Sequence, residues 1–368
     1  MQATEARMSE AWTPVVLAIL GGACMGTYPV FVKTPMMRAA KVHPLIFQGY
    51  KSVWVLIIGI LLVTWRSIMI SNLEPPSPRL AYVFTPWGIA CACAWVPAGF
   101  AMIASIPRIG VGTAVLIFDS TATLVSFFVF WLFFHEPLRE HTLPNGSVYY
   151  LAPLYMVGVV AGMAGLVLLP PILDRAPKTL AEPLLPSLEA AQVSLGQMAG
   201  TVRVQIEGYA LAVLAGVLSA VQYGLVTLAK KWAAEESVPS EALDPLGSWT
   251  ASLGLGAVLI NGLALGVART AGQQPTLQPR VTLLPGSAAG LLYCAALLLT
   301  TAAVQLGGNA IVMAQRNATS LVVSGLWGVL WYREIRGTAL LAWGSMALLT
   351  VACVVGLGFE KPPSAHPH

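Results

Sequence analysis

Charged residues are scarce in this chain. Asp, Glu, Lys and Arg make up 10% of its 368 residues, whereas aliphatic, aromatic and cysteine residues make up 57%. Soluble domains carry about 25% charged residues, so the composition argues against a protein that faces water on all sides. The net charge of +4 is spread along the chain without a basic block, and a nucleic-acid partner is therefore not predicted.

Motifs for catalysis and metal binding are also lacking. The chain has no Gly-x-x-x-x-Gly-Lys-Ser/Thr phosphate loop and no nucleophile elbow. His135 and Glu136 begin like a zinc-protease motif, but Arg139 stands where the second histidine is required. The five cysteines all lie in apolar runs and are predicted to be small packing residues. We therefore predict no enzyme activity, no cofactor and no metal.

Long apolar runs are abundant instead. A run of about 18 or more apolar residues predicts a helix that spans the bilayer. Ten such runs lie at residues 13–32, 45–65, 86–106, 110–134, 151–169, 208–229, 246–267, 285–306, 309–332 and 338–358. The predicted fold class is an all-α polytopic membrane protein with ten transmembrane helices. The lipid bilayer is then a partner, and the localisation is integral and multi-pass.

The ten predicted helices fall into two similar halves. Residues 110–136 can be laid over residues 308–334 without a gap, and the same offset of 198 positions (308 − 110) pairs Gly88 with Gly286. Near the start of each half, the sequence Leu-Ala-Ile-Leu-Gly-Gly at 17–22 is echoed by Leu-Ala-Val-Leu-Ala-Gly at 211–216. Five spans per half is an odd number, so the second half must cross the membrane in the opposite orientation. Inverted repeats of this kind are typical of secondary transporters.

Domain boundaries and orientation follow from this duplication. The segment between the halves is rich in proline and mixed charge, as exposed tethers are, and its second half can form a short surface helix. Loops on the side of the termini hold seven Lys and Arg, against eleven on the opposite side, which predicts termini outside the cytosol. Asn145, in an Asn-Gly-Ser sequon on the charge-poor side, is a glycosylation candidate. The predicted units are a first repeat at 1–169, a linker loop at 170–207, a second repeat at 208–358 and a disordered tail at 359–368.

Three charged residues lie inside predicted spans. A charge near the bilayer centre costs about 2.5–3.5 kcal/mol on insertion scales, so such residues are informative. Asp119 and Arg316 lie at nearly the same depth in repeat-related spans. We predict that they face a central cavity and form an ion pair or contact substrate; a purely structural buried pair is the alternative. Lys51 lies close enough to the end of its span that it is predicted to snorkel to the interface.

A dense polar cluster surrounds Arg316. Its members are Asn309, Gln315, Asn317, Thr319 and Ser320. A polar, many-hydroxyl substrate needs amide and hydroxyl partners together with an apolar platform, and Trp95, Tyr223, Tyr293 and Trp327 can supply the platform. Packing between helices is the alternative for part of the cluster, because polar side chains also bond across helices.

Helix ends and glycines complete the pattern. Glu136 and Glu334 occupy matching span ends, where a charge is either an interfacial end residue or a gate. Glycines at multiples of four positions predict close helix approach. They include Gly22 with Gly26, Gly158 with Gly162, and Gly254 with Gly262 and Gly266.

Segments in both halves of the chain resemble a known family. Residues 324–337, Ser-Gly-Leu-Trp-Gly-Val-Leu-Trp-Tyr-Arg-Glu-Ile-Arg-Gly, are similar to the Trp-Gly-Ile-Phe-x-Phe-Lys-Glu-Ile-Lys-Gly segment of the transmembrane protein 144 family, which belongs to the drug/metabolite transporter superfamily and is related to bacterial glucose/ribose porters. Residues 26–33 and Phe47-Gln48 are similar to its Gly-Ser-x-x-x-Pro-x-Lys and Phe-Phe-Gln segments. The resemblance implies carbohydrate transport, with Lys33, Gln48, Trp327 and Glu334 at matched positions. Asp119 and Arg316 match no signature of the family; if they contact substrate, a ligand bearing a carboxylate or phosphate is implied.

The predicted function is transport without ATP. The favoured hypothesis is a secondary-active or facilitative transporter of a sugar-like small molecule, with either a coupling proton or an exchange substrate. An exporter of amino acids or amphipathic drugs is the alternative in the same class. A membrane binding protein with the same fold but no flux is the alternative in another class.

Overall fold

The computed structural model describes residues 2–32, 34–40, 42–71, 85–109, 111–174, 188–235, 248–331 and 337–360. It is 86% helical, as expected for runs of apolar residues that must satisfy their own backbone hydrogen bonds in lipid. Within the described residues, nine helices are long and apolar enough to cross a membrane. The prediction of an all-helical, multi-pass protein is confirmed at that level.

The first half contributes seven helices. Two short helices follow the first span, because the helical conformation is interrupted at Tyr28 and again before Pro35. The helices are α1 (Gln2–Thr27), α2 (Pro29–Val32), α3 (Pro35–Ala39), α4 (Pro44–Ser71), α5 (Trp87–Ile109), α6 (Val111–Phe128), which continues as a π-helical turn (Val129–Phe133), and α7 (Ala152–Asp174). Between α6 and α7, strands β1 (His141–Thr142) and β2 (Val148–Tyr149) pair antiparallel.

The second half contributes five helices. They are α8 (Leu188–Glu235), α9 (Ser248–Thr270), α10 (Pro279–Gly307), α11 (Asn309–Leu330) and α12 (Thr338–Phe359). The continuous α8 begins within the segment predicted as the linker. Each of the ten predicted spans coincides with a helix, but α11 is not among the nine apolar ones, because its first half is crowded with amide and charged side chains.

Helix packing joins the halves throughout. Helix α1 packs on α10 and α11, while α8 packs on α5 and α6. Helix α4 packs on α9 and α10, and α5 packs on α9. Three pairs link helices of the same rank in their halves: α4 with α9, α6 with α11, and α7 with α12. Exchanging α1, α4, α5, α6 and α7 for α8, α9, α10, α11 and α12 leaves this set of cross-half contacts unchanged.

Glycines permit the tightest of these approaches. A Cβ on Gly22 would meet Arg316 O at 2.5 Å and Thr319 Cβ at 2.8 Å. A Cβ on Gly216 would meet Phe118 O and Thr121 Cβ, both at 2.7 Å. The contacted residues are again 198 positions apart (316 − 118 and 319 − 121), so the two crossings are equivalent.

The predicted close helix approach is wrong at two glycines of α9. Gly254 does lie against the backbone of α4, near Leu56. Nothing lies within 4 Å of a Cβ built on Gly262 or Gly266. The small-residue spacing therefore marks a helix crossing at only one of its three positions. Helix α9 still contacts α4 beside Gly262, where Asn261 donates to Leu45 O at 3.2 Å, but Gly262 and Gly266 are exposed and face away from α4.

Contacts at the two ends of the bundle define its sidedness. At one end, Trp12 packs edge-on against Phe359 with ring centroids 5.3 Å apart, and His141 Nε2 lies 2.8 Å from Glu360 Oε2. At the other end, His43 hydrogen-bonds Gln273 at 3.0 Å, and Arg108 lies 3.8 Å from Glu207. The beginning of α1 and the end of α12 therefore share one end.

The β-hairpin and the cysteines are simple features. Asn145 lies at the exposed tip of the hairpin, where its Oδ1 accepts a hydrogen bond from the Ser147 backbone N–H at 3.1 Å. All five cysteines are free, as predicted. Residues 361–368, most of the predicted tail, lie outside the described residues.

Candidate functional site

A cavity lies between the two halves of the chain. Its empty volume, including the mouth, is about 380 Å³, and it is lined by side chains of α1, α4, α5 and α6 on one side and of α8, α10 and α11 on the other. Its apolar lining includes Met25, Met102 and Phe118. Its polar and aromatic lining is Tyr28, Lys51, Trp95, Ser219, Gln222, Tyr223, Tyr293 and Arg316.

Lys51 of α4 projects its ammonium group into an aromatic cage. The side chain is 2% exposed. The Nζ atom lies near three ring centroids, 5.2 Å from Tyr28, 5.9 Å from Trp95 and 5.0 Å from Tyr293. A cation within about 6 Å of a ring centroid is attracted by the ring's quadrupole, and a desolvated contact contributes about 2 kcal/mol. The prediction that Lys51 snorkels to the interface is wrong, because aromatic rings from three other parts of the chain enclose it.

Two of the cage rings form a stack across the halves. Trp95 and Tyr293 have ring centroids 4.8 Å apart and planes 14° apart. Tyr28, at the break between α1 and α2, meets Tyr293 edge-on at 6.2 Å. Edge-to-face and offset-stacked arrangements are those favoured between aromatic rings. The cage is therefore a packed unit that holds the ammonium of Lys51 in place.

Arg316 and Asp119 are both buried, but they do not form an ion pair. Arg316 lines the cavity and is 3% exposed, while Asp119 is 1% exposed. Within the described part of the chain, the two carboxylate oxygens of Asp119 and the Nε of Arg316 have no partner at hydrogen-bond geometry. The Ser320 side chain lies near the Asp119 carboxylate. The guanidinium instead donates from Nη1 to Asn317 Oδ1. Arg316 still attracts the Asp119 carboxylate through space.

The polar cluster on α11 mainly joins helices. Gln315 donates to Val354 O of α12 at 3.3 Å. Asn317 donates to Thr123 Oγ1 of α6 at 3.0 Å, and Asn309 donates to Thr227 Oγ1 of α8 at 2.8 Å. Successive helical residues point about 100° apart, so neighbours in sequence face different helices. Arg316 lines the cavity, whereas Asn309, Gln315 and Asn317 do not.

The remaining predicted site residues are divided. Gln48 is buried against Gly99, a cavity residue, and neither of its amide atoms has a partner within the described chain. Trp327 lies outside the cavity and donates from Nε1 to Thr27 Oγ1 at 3.1 Å. Trp95 and Tyr223 line the cavity. Lys33 and Glu334 lie outside the described residues.

Glu136 binds the start of α11. Its Oε1 accepts the N–H of Asn309 at 3.0 Å, and its Oε2 accepts the N–H of Ala310 at 2.9 Å. The π-helical turn and the positive φ of His135, 54°, carry the chain out of α6 to this position. Helix N-termini have unpaired N–H groups and favour a negative charge. Glu136 therefore caps the N-terminus of α11 and ties it to the chain that follows α6.

Several cavity residues could not be predicted from the sequence. Tyr28, Ser219 and Gln222 are single polar residues in apolar runs, and no local pattern distinguishes them from packing residues. The sequence does contain one signal, since Trp95 and Tyr293 are separated by 198 positions (293 − 95), the offset that aligns the two halves in sequence. A similar offset of 194 (216 − 22) relates Tyr28 to Gln222 and Met25 to Ser219, all of which line the cavity.

Comparison with known proteins gives a likeness of fold. Among the solved structures that match, one crystal structure has a TM-score of 0.55 at 14% identity, covering 95% of this chain and 98% of that chain. No family model matches the sequence. No curated protein matches it either.

Proposed function

We propose that this protein is a secondary-active or facilitative transporter that moves a small polar metabolite by alternating access. The observation that carries the proposal is the cavity between the halves, which both halves line and which contains the buried cations Lys51 and Arg316. Charges inside a bundle typically mark a substrate or ion pathway. Binding sites of inverted-repeat transporters lie at the interface of the repeats.

An inverted pair of five-helix repeats is part of the proposal. It is supported by the principal cross-half helix contacts, which are unchanged when the halves are exchanged. It is also supported by sidedness: Glu207 lies at the end opposite the Trp12–Phe359 contact. Helix α11 is proposed as the tenth span. Its polar residues are buried within the protein, where they need not face lipid.

The substrate class rests on two further supports. The stacked faces of Trp95 and Tyr293 offer a flat apolar platform, and Ser219, Gln222 and Tyr223 offer hydroxyl and amide groups beside it. A polyol or sugar-like metabolite needs both. The resemblance to the transmembrane protein 144 family points to carbohydrate as well.

Counterflow in proteoliposomes tests the function. Vesicles containing the purified protein and loaded with one unlabelled solute are given the same labelled solute outside, with sugars, polyols, sugar acids and amino acids as the panel. Saturable accumulation of a sugar-like solute is expected. Amino-acid exchange alone would support the exporter alternative. Ligand-induced thermal stabilisation without flux would support the binding protein.

Mapping of the two ends tests the inversion. An epitope tag at the C-terminus and one inserted within residues 175–187 are expected to be accessible from opposite sides of the membrane. The charge count further predicts that the termini lie outside the cytosol, in which case Asn145 can carry glycan and the variant Asn145→Gln loses a glycosidase-sensitive shift in mobility. Both tags on one side would overturn the inverted-repeat mechanism.

A further inference from the structure

Lys51 is a buried cation without an anionic partner. It is 2% exposed, and its ammonium faces the rings of Tyr28, Trp95 and Tyr293. It forms no hydrogen bond and no ion pair with the described residues. Ring faces attract a cation but do not neutralise it, and buried charges are normally paired. Among the described residues, none supplies a negative charge that would pair with the Lys51 ammonium.

Arg316 is a second cation on the same cavity. It is 3% exposed, and the described chain offers its Nε no hydrogen-bond partner. Asp119 is the acidic residue that attracts it, and Asp119 is not among the lining residues. The other buried acid of the described chain, Glu360, is bound to His141 at the end of the bundle. With Lys51, Arg316 and Asp119 all ionised, two positive charges and one negative charge leave a balance of +1 (2 − 1) around the cavity.

We propose that the cavity binds a small organic anion of single negative charge, held between Lys51 and Arg316. This inference rests on the proposed transport function and names its substrate class. A carboxylate would accept hydrogen bonds from both cations and bring the local charge to zero. The stacked rings would pack against its carbon skeleton, and Ser219, Gln222 and Tyr223 would bind its hydroxyl groups. Hydroxylated monocarboxylates of sugar-acid type have this combination.

Matched solutes separate this proposal from transport of a neutral sugar. The probes are glycerate with glycerol, gluconate with glucose, and glycerol 3-phosphate as a phosphate arm. Each is tested for thermal stabilisation of the purified protein and for counterflow in proteoliposomes. A monocarboxylate is expected to stabilise and exchange, whereas its neutral counterpart does neither. The phosphate arm is expected to bind less well, because its second charge exceeds the balance of the site.

A lysine outside the cavity provides the matched control. Lys231 also lies over an aromatic ring, 5.1 Å from the centroid of Phe134, but it is exposed. Lys51→Met is expected to raise the half-saturating concentration of the anion by about tenfold or more. A charge-assisted hydrogen bond is roughly twice as strong as a neutral one, and the loss of one can account for a tenfold change in affinity. Lys231→Met is expected to leave it unchanged. Lys51→Arg keeps the charge and reports anion binding should the methionine variant fail to fold.

Each outcome decides a different point. Exchange of glucose or glycerol with equal affinity in wild type and Lys51→Met would overturn the anion site and leave the transport proposal standing. Anion-induced stabilisation without flux of any solute would overturn transport and support the anion site. Preference for glycerol 3-phosphate would overturn the single-charge assignment. Failure of every anion to stabilise or exchange would overturn this inference.

Discussion

The indole of Trp95 stacks on the phenol ring of Tyr293, with ring centroids 4.8 Å apart and planes 14° apart. The two residues occupy equal positions in the two halves of the chain, 198 residues apart (293 − 95). In the inverted repeat that we propose, residues that are equivalent in sequence and touch in space lie close to the axis that relates the halves. The stack thus places the cage around Lys51 at the centre of the proposed transporter.

This stack is expected to couple the halves energetically. Trp95→Ala and Tyr293→Ala should each lower the free energy of unfolding, and the double variant should lose less than their sum, by about 0.5–1.5 kcal/mol. Unfolding in mixed detergent micelles gives the three free energies. Phe127→Ala with Tyr293→Ala is a control pair, since Phe127 is buried but packs edge-on against Phe128 and at a tilt against Trp131. Strict additivity of the Trp95 pair would show that the stack does not couple them.

The binding of Glu136 to the start of α11 makes a second prediction. Glu136→Gln removes the charge that faces Asn309 N–H and Ala310 N–H. We expect a loss of about 0.5–2 kcal/mol in the free energy of unfolding, the range found for helix N-terminal capping groups and their charge. Glu140→Gln is the control, because Glu140 is an exposed hairpin residue that bonds Tyr150.

Transport by the Glu136 variant distinguishes a gate from a simple end residue. If the contact closes one side of the cavity, Glu136→Gln should alter the rate of exchange beyond its effect on stability. An unchanged rate per folded molecule in the counterflow assay would leave Glu136 as a helix cap only.

Glycines at the α1–α11 and α6–α8 crossings make a third prediction. Gly22→Ala and Gly216→Ala place a Cβ 2.5 Å and 2.7 Å from backbone oxygens of Arg316 and Phe118. Overpacking of this kind costs about 1–3 kcal/mol. Equal losses at the two sites are expected if the crossings are equivalent, as measured by the same unfolding assay.

Gly262→Ala is the matched control for these variants. Nothing lies within 4 Å of a Cβ at Gly262, and alanine favours helix over glycine by about 1 kcal/mol. We therefore expect no loss, or a small gain, in stability. A loss at Gly262 as large as at Gly22 would contradict the packing described here.

The sequence predicts the helices well because bilayer thickness and backbone hydrogen bonding leave few alternatives. Each predicted span coincides with a helix, and the free cysteines follow from the same apolar composition. The buried Arg316 is likewise predicted, because a charge inside a span must turn toward the protein. These features depend on local composition alone.

The composition of the site depends on tertiary contacts that local patterns do not contain. Gln315 and Arg316 are adjacent in sequence, yet one bonds α12 and the other lines the cavity. Lys51 has the sequence environment of a snorkelling residue and is buried because Tyr28, Trp95 and Tyr293 converge on it. The offset of 198 positions indicates that Trp95 and Tyr293 are near each other, but it can be detected only by comparing distant segments of the sequence.

The final prediction concerns the energetic coupling between Asp119 and Arg316, which do not form an ion pair. Asp119→Asn should lower stability, because it leaves the buried guanidinium without the carboxylate that attracts it. The double variant with Arg316→Gln should recover part of the loss, with a coupling free energy of about 0.5–3 kcal/mol. Asp119→Asn with the exposed Lys231→Met should be additive within about 0.5 kcal/mol.

The charge-swapped protein, Asp119→Arg with Arg316→Asp, separates structure from substrate binding. Arg316 lines the cavity and Asp119 does not, so the swap keeps the mutual attraction but takes the guanidinium away from the cavity. We expect a folded protein, by unfolding temperature, that has lost exchange in the counterflow assay. Full exchange by a folded swapped protein would show that the pair serves packing alone, since no substrate contact to Arg316 would then be needed.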